Sequence, residues 1–346
     1  MSPAAAVSIV GFAGCTSLGY SLGPTLAAMG AGLNNFGDTG VKTQFGTPVM
    51  AASLLDRDLP RIERLRAIAS IALVDLQELL AHAGVEKAPL MLGVPSDLDD
   101  DEEAALREEL ARNPIIPRET AWFPYGRASA FPALAAAVGL IERGSHRFIV
   151  VGGIDSLCGP HTVYSLMQFG RTLGPHTEGT IPGEGAVFAL LARADDPAVD
   201  PAHAVLLEAV AQHRSPVRFT QRDRVSGDDL ATVFRTFRER GLRRVERVIA
   251  AHSGEGYFGR SFAHAYLREV DVMPEPLEVE LIADSVGDLG AAAGMLGLAF
   301  ATYRMATDPR SDHGRALVYS ESDSGEIGAA IVDGAPASWE RHVSAN

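Results

Sequence analysis

The sequence predicts a mixed α/β protein, because short apolar runs of strand type alternate along the whole chain with longer runs of helical periodicity. At 346 residues the chain is long enough for two domain-sized units. Hydrophobic residues make up 47% of the chain and charged residues 21%, a composition typical of a protein with a large folded core. Strands that alternate with helices favour a buried and largely parallel sheet.

The predicted strands are short apolar runs, often β-branched, bounded by Gly, Pro or Asp. In the first half of the chain they are Val7–Phe12, Leu90–Val94, Arg147–Val151 and Ala186–Ala192. In the second half they are His203–Ala211, Arg247–His252, Leu277–Ile282, Arg315–Ser320 and Gly328–Val332. The cluster of Asp, Pro and Ala at Asp195–Pro201 marks the expected boundary between the halves.

The predicted helices carry apolar residues at helical spacing between these strands. They are Arg61–Ala83 and Phe131–Arg143 in the first half, and Gly227–Arg240, Gly259–Arg268 and Ala291–Met305 in the second. We expect a further helix within Ser96–Asn113, because the acidic run at its start suits an N-cap and a first turn stabilised by the helix dipole.

The charge balance disfavours two classes of partner. Asp and Glu number 44 against 30 Lys and Arg, which gives a net charge of −14. Such a field repels phosphate backbones and anionic lipid headgroups, so we expect neither a nucleic acid nor a membrane as partner. The segment Met1–Gly14 lacks the positive start of a signal peptide, and no apolar run reaches the roughly 18 residues of a membrane span. These features predict a soluble, cytoplasmic protein.

Cysteine and histidine usage predicts no metal site and no disulfide framework. The two cysteines, Cys15 and Cys158, lie far apart, which fits a reducing compartment. His161, His176 and His264 do not have the spacing of metal ligands. No Walker A loop and no Gly-x-Gly-x-x-Gly fingerprint occurs, so we expect no nucleotide cofactor, and no other cofactor is implied.

Three glycine-rich stretches stand where strands end, and there the backbone can approach a ligand or a neighbouring element closely. The first is Phe148–Ser156, followed by Pro182–Leu190; the second is Ile249–Gly254; the third is Gly287–Gly294, followed by Gly325–Val332. Taken in this order, and with the opening stretches Val7–Gly14 and Gly46–Ala52, they resemble the β-ketoacyl synthases, the condensing enzymes of the thiolase-like superfamily.

The resemblance covers nearly the whole chain and implies a thiolase-like fold. Two similar α/β halves, residues 1–198 and 199–346, are then packed as five layers in the order α-β-α-β-α. The family also implies a homodimer, or a heterodimer with a related subunit, formed through the strand Arg147–Val151. An acyl carrier protein or acyl-CoA is a further partner implied by the family, and the arginines Arg243, Arg244 and Arg247 are candidates for docking an acidic carrier.

The family site implied by the resemblance is a Cys-His-His set. Its cysteine, at the start of a buried helix, attacks an acyl thioester, and its histidines stabilise the enolate and the oxyanion. Carried over by family spacing, the nucleophile position falls on Arg127, the first histidine on His252 and the second on Asp288. The family lysine falls near Ala283, and the phenylalanine that gates the acyl pocket falls near Asp323.

These substitutions argue against decarboxylative condensation. Arginine does not give up its proton and is no nucleophile, and an aspartate at the oxyanion position repels the negative charge that develops there. We hypothesise that Arg127 forms a bidentate ion pair with Asp288 or Asp323, in place of the Cys-His chemistry. The chain is then a partner or scaffold subunit, as the chain-length subunits of some polyketide synthases are.

Two alternatives remain open. In the first, Ser129 or Cys158 with His252 makes an active acyltransferase or thioesterase, although no Gly-x-Ser-x-Gly elbow is present. In the second, the chain binds an acyl thioester without chemistry, and Arg127 pairs with the anion. Gly153 and Cys158, near the end of the first glycine-rich strand, join Asp323 as candidates for the substrate pocket.

Overall fold

The computed structural model describes residues 6–43, 45–56, 58–116, 120–175, 177–219, 225–242, 244–307, 314–334 and 343. Its strands are β1 (Val7–Thr16), β2 (Gly37–Lys42), β3 (Pro48–Ala51), β4 (Leu90–Gly93), β5 (Thr120–Phe123), β6 (Phe148–Ser156), β7 (Glu184–Arg193), β8 (Val205–Arg214), β9 (Arg247–Ala250), β10 (Val279–Leu281), β11 (Gly314–Glu321) and β12 (Glu326–Gly334). Its α-helices are α1 (Leu22–Gly30), α2 (Arg61–His82), α3 (Asp100–Ala111), α4 (Ala130–Glu142), α5 (Pro160–Gln168), α6 (Asp228–Glu239), α7 (Gly256–Tyr266), α8 (Ala283–Val286) and α9 (Ala293–Thr307).

The main sheet repeats one five-stranded topology. Its order is β10-β9-β11-β12-β8-β1-β7-β6-β4-β5, and β2 with β3 forms a separate hairpin. In the first set β5, β4 and β6 are parallel, and β7 and β1 follow antiparallel. In the second set β10, β9 and β11 are parallel, and β12 and β8 follow antiparallel. Each strand of the first five-stranded set therefore has an equivalent in the second.

The two sets meet at a short antiparallel contact, where Ser8 pairs with Leu206 and Ile9 with Val205. The two predicted sheet layers are thus joined edge to edge through β1 and β8. The segment between β7, which ends at Arg193, and β8 connects the sets. The division into domains 1–198 and 199–346 falls in this segment and stays a prediction.

Helices complete the five predicted layers. α2 packs on β1, β6 and β7, and α3 packs on α2, which forms one outer layer. α6 packs on β8 and β12, and α7 packs on α6, which forms the other. α4 and α9 contact strands of both sets and make the central layer. The α/β thiolase-like fold class is confirmed.

The sequences of α4 and α9 explain why they lie in the centre. Both helices are apolar almost all the way round, and a helix of that kind is stable only when both of its faces are covered. Three clusters of buried side chains follow from the layering. The central cluster includes Phe131, Leu134, Met295 and Leu296; the outer clusters include Leu65, Ile68 and Leu76 on one side and Phe234, Phe237 and Tyr319 on the other.

The structure corrects the predicted dimer strand. The segment Arg147–Val151 belongs to β6, which pairs with β4 on one side and β7 on the other, so it has no free edge for a partner. The free edge of this half is β5, which pairs only with β4 among the described residues. Sequence patterning missed β5, which has only three consecutive apolar residues and no fully buried side chain, and α1, α5, α8 and the β2–β3 hairpin were missed as well.

Candidate functional site

Arg127 lies at the entrance to the central helix of the first half. After β5 the chain turns at Gly126, whose φ of +59° is unfavourable for other residues, and forms a short 3₁₀ helix over Gly126–Ser129. α4 follows directly, so Arg127 stands beside its N-terminus with 7% of its surface exposed. The sequence placed the family nucleophile position at this residue.

Asp288 holds the equivalent place in the second half, just before α9. Its backbone is fixed to the strand-end loop of the first half, because its N–H donates to the Ile181 carbonyl at 2.7 Å and its carbonyl accepts from the Gly183 N–H at 2.9 Å. One carboxylate oxygen also accepts from the Gly290 N–H at 3.0 Å. With 1% of its surface exposed, Asp288 requires a cation as partner.

That cation is Arg127. Its Nε donates to both oxygens of Asp288 at 3.0 Å, and its Nη2 donates to Oδ2 at 2.8 Å. The remaining terminal nitrogen, Nη1, donates to Oδ1 of Asp323 at 2.6 Å. The ion pair that the sequence predicted is confirmed, and it joins Arg127 to both candidate carboxylates.

The charges continue beyond the predicted pair. Arg171 Nη1 donates to the other oxygen of Asp323 at 2.6 Å. The Nε and Nη2 of Arg171 donate to the two carboxylate oxygens of Glu255 at 2.9 and 2.6 Å. The result is an alternating chain, Asp288–Arg127–Asp323–Arg171–Glu255, which we call the charge chain. Sequence reasoning missed Arg171 and Glu255; the position of Glu255 directly after the His252-Ser-Gly motif was the available signal.

Burial and charge together set the protonation states in the charge chain. Burial alone raises the pKa of Asp323, but the charges of Arg127 and Arg171 outweigh it and bring that pKa down to about 2. Burial lowers the pKa of the Arg127 guanidinium, whereas Asp288 and Asp323 together leave it well above its ordinary value. Both partners are therefore fully charged at neutral pH.

Aromatic rings cover the faces of the two guanidinium groups. The Cζ of Arg171 lies 4.2 Å from the ring centre of Phe219, and the Cζ of Arg127 lies 5.2 Å from that of Phe258. The two rings stack on each other with their centres 5.4 Å apart. A cation over an aromatic face is attracted by the ring quadrupole, so this pair of rings further fixes both arginines.

His252 follows β9 and is buried with a neutral ring. Its Nδ1 accepts from the Gly254 N–H at 3.1 Å, which assigns the remaining proton to Nε2, and Nε2 lies 3.4 Å from the Tyr319 hydroxyl. Burial, and after it the charge of Arg127, lower the pKa of His252 to about 3. The ring is therefore a poor proton acceptor at neutral pH.

The Ser129 side chain contacts the backbone around β4 and β5. Its hydroxyl accepts from the Tyr125 N–H at 3.2 Å and donates to the Val94 carbonyl at 3.4 Å. The side chain also packs on β4, where a Cβ added to Gly93 would lie 2.5 Å from its own Cβ. Among the described residues no hydrogen bond joins Ser129 to His252, so the nucleophile and base of the serine alternative are not brought together.

Cys158 and Gly153 lie in other surroundings. The Cys158 thiol donates to the Ala52 carbonyl at 3.6 Å and lines a cavity with Arg64, next to the β2–β3 hairpin. Burial, and after it the charge of Glu184, raise the pKa of this thiol well above its ordinary value, so it is not a thiolate nucleophile. Gly153 lies inside β6, where a Cβ would come within 2.1 Å of the Ala291 carbonyl oxygen, so its lack of a side chain serves packing.

Two of the three predicted docking arginines are described, and both are paired. Arg244 contacts Glu275 at 2.7 Å and Arg247 contacts Glu280 at 3.6 Å, while Arg243 lies outside the described residues, as His176 does.

Over the described ranges, no group of three or more His, Cys, Asp and Glu side chains is arranged to hold a metal ion. In the same part of the chain, no helix has the length and apolar character needed to span a membrane.

No family model and no curated protein matches the sequence. Solved structures do match. A ketosynthase domain from the oxazolomycin synthase of Streptomyces albus JA3453 superposes with a TM-score of 0.71 at 14% identity, over 95% of this chain and 74% of that one. The AntDE:AntF structure, an acyl-carrier protein in complex with its ketosynthase, gives 0.74 at 13% identity over 96% and 100% of the two chains. The ishigamide ketosynthase/chain length factor gives 0.68 at 17% identity over 94% and 99%.

The chain has the thiolase-like fold of the ketosynthases. At identities of 13–17% the likeness concerns the fold alone. In this chain the charge chain includes Arg127 and Asp288, which lie at the entrances of the two central helices of this fold.

The low pKa of His252 predicts a pH-dependent stability. Between pH 3 and 6.5 the imidazole of His252 is protonated in the unfolded chain but neutral in the folded protein. The free energy of unfolding therefore rises with pH across this window. His252→Gln removes this contribution. The stability difference between the wild type and this variant should therefore increase by up to about 1.4 kcal/mol per pH unit from pH 3.5 to 6.5, measured by urea denaturation.

His264→Gln, at an exposed histidine, is the matched control for the loss of an imidazole. A wild-type minus His252→Gln difference that stays constant over this pH range would contradict the assignment of a neutral buried ring.

Proposed function

We propose that this chain is a non-condensing, ketosynthase-like subunit that acts as a partner or scaffold for a related subunit. The observation that carries the proposal is the bidentate pair of Arg127 and Asp288 at the entrances of the two central helices. The family resemblance assigns a nucleophile and an oxyanion-stabilising histidine to these two positions. A cytoplasmic location is part of the proposal.

The charge chain lacks what a Claisen condensation requires. The reaction needs a thiolate to carry the acyl group and hydrogen-bond donors for the negative charge that develops on the thioester carbonyl. Arg127 has its donors directed at Asp288 and Asp323, and Asp288 adds negative charge where donors are needed. Among the described residues, no serine, cysteine or second histidine is hydrogen-bonded to His252.

The sheet topology favours the β5 edge as the place of the partner subunit. Within the described ranges β5 is an open edge strand, and the 3₁₀ helix that carries Arg127 begins three residues after its end. A groove lined by Phe123, Tyr125 and Pro132 runs beside it. An unpaired edge is a template for another chain, so a partner added there lies directly beside the site.

The absence of condensation chemistry is tested by intact-protein mass spectrometry after incubation with malonyl and acyl thioesters of coenzyme A and of a carrier protein. We expect no mass increase and no release of CO₂, because Ser129 is held against β4 and Cys158 is a buried thiol.

The double variant Arg127→Cys/Asp288→His is the matched control, since it returns the family residue types to both positions and shows that an adduct on this chain is detectable. A thioester adduct on the wild type that Ser129→Ala or Cys158→Ala abolishes would overturn the proposal in favour of an acyltransferase.

Association of a partner at the β5 edge is tested with Ala121→Lys. Ala121 is the exposed residue of β5, so the new charge lies at the surface and not in the core. We expect this variant to lose association with a second copy or with a ketosynthase-like subunit of its native host, measured by light scattering and co-purification. Val279→Lys at the opposite edge strand, β10, is the control and should retain it. Equal association of both variants would contradict the β5 edge.

A further inference from the structure

Asp323 differs from the other carboxylates of the charge chain in its exposure. Its side chain is 35% exposed, whereas those of Glu255 and Asp288 are 6% and 1% exposed. It lies in the turn between β11 and β12, next to Gly325, whose φ is +94°. Asp323 is thus the most exposed member of the charge chain.

Both arginines are held in place without Asp323. Asp288 takes the Nε and Nη2 of Arg127, and Glu255 takes the Nε and Nη2 of Arg171. Phe219 and Phe258 cover the guanidinium faces. The Nη1 of each arginine is not used by these two carboxylates. The two Nη1 groups donate instead to the two oxygens of Asp323, each at 2.6 Å.

The Asp323 side chain depends on these arginines alone. Within the described residues its carboxylate oxygens accept only from Arg127 and Arg171, and its backbone is held separately by the Phe219 N–H at 3.0 Å. The carboxylate can therefore leave without disturbing the backbone contact. Its departure leaves two guanidinium groups balanced by two carboxylates, with both Nη1 donors aimed at one vacant position.

We propose that Arg127 and Arg171 form a binding site for the carboxylate group of a small ligand, and that Asp323 is an internal occupant which an external carboxylate displaces. The two Nη1 donors approach the two oxygens of one group, which is the geometry of a bridging carboxylate. One carboxylate group of an incoming ligand replaces the single negative charge that Asp323 places between the two arginines. No bond is made or broken, and the site is independent of the proposed partner role.

The test is a calorimetric titration of purified protein with malonate at constant ionic strength. The wild type should bind weakly, because the tethered carboxylate competes at a high effective concentration. Asp323→Ala removes the competitor and should bind malonate at least about tenfold more tightly. Arg171→Gln added to Asp323→Ala should abolish this gain, because it removes one of the two donors.

The matched control is Asp195→Ala, which also takes an aspartate from an arginine, but at the surface pair with Arg193. It should bind malonate no better than the wild type. Equal gains in Asp195→Ala and Asp323→Ala, or no saturable binding by Asp323→Ala, would overturn the site.

Phosphate and chloride titrations at the same ionic strength test the ligand class. We expect both anions to bind Asp323→Ala more weakly than malonate does, and tighter binding of phosphate would overturn the assignment to carboxylates.

If Asp323→Ala does not fold, Asp323→Asn is titrated instead, because it keeps the shape of the side chain and loses its charge. It should also bind malonate more tightly than the wild type, and no gain there overturns the proposal.

Discussion

The guanidinium of Arg127 is the constraint on which the site depends. A buried arginine is tolerated only when its charge is paired and its donors are used, and here Asp288 and Asp323 accept from all three of its nitrogens. Because Asp323 is then shared with Arg171, and Arg171 with Glu255, the pairing extends to a chain of five charges. A pair of this kind contributes little to stability in net terms, but loss of one partner leaves a buried charge alone.

The repeated topology explains why these residues meet. α4 and α9 are equivalent helices of the two halves, each reached from a short parallel strand, and both lie in the central layer. Arg127 stands just before α4 and Asp288 just before α9, so residues 161 positions apart come together at the helix entrances. The fold thus supplies a meeting point of two halves, and the side chains at that point decide its chemistry.

The sequence predicted the layers and the central pair better than it predicted the surroundings of the site. Long helices such as α2 and the glycine-rich strand ends carry strong local patterns, and the exchange of family residues at Arg127 and Asp288 signalled an ion pair. β5 has only three consecutive apolar residues and no fully buried side chain, so it was not predicted, and the dimer strand was placed wrongly at Arg147–Val151. Arg171 was not placed in the site because it lies in none of the motifs that carry the resemblance, so nothing in the sequence pointed to its partners, 84 and 152 residues away.

The coupling of Arg127 and Asp288 in one buried ion pair is tested most directly by a double-mutant cycle on Arg127→Met and Asp288→Asn, measured by urea denaturation. Each single variant should lose about 3–5 kcal/mol of unfolding free energy, because it leaves its partner buried and unpaired. The double variant should lose much less than the sum, with a coupling of about 2 kcal/mol or more. Losses that add to within about 0.5 kcal/mol would show that the two side chains act independently, and would contradict the account.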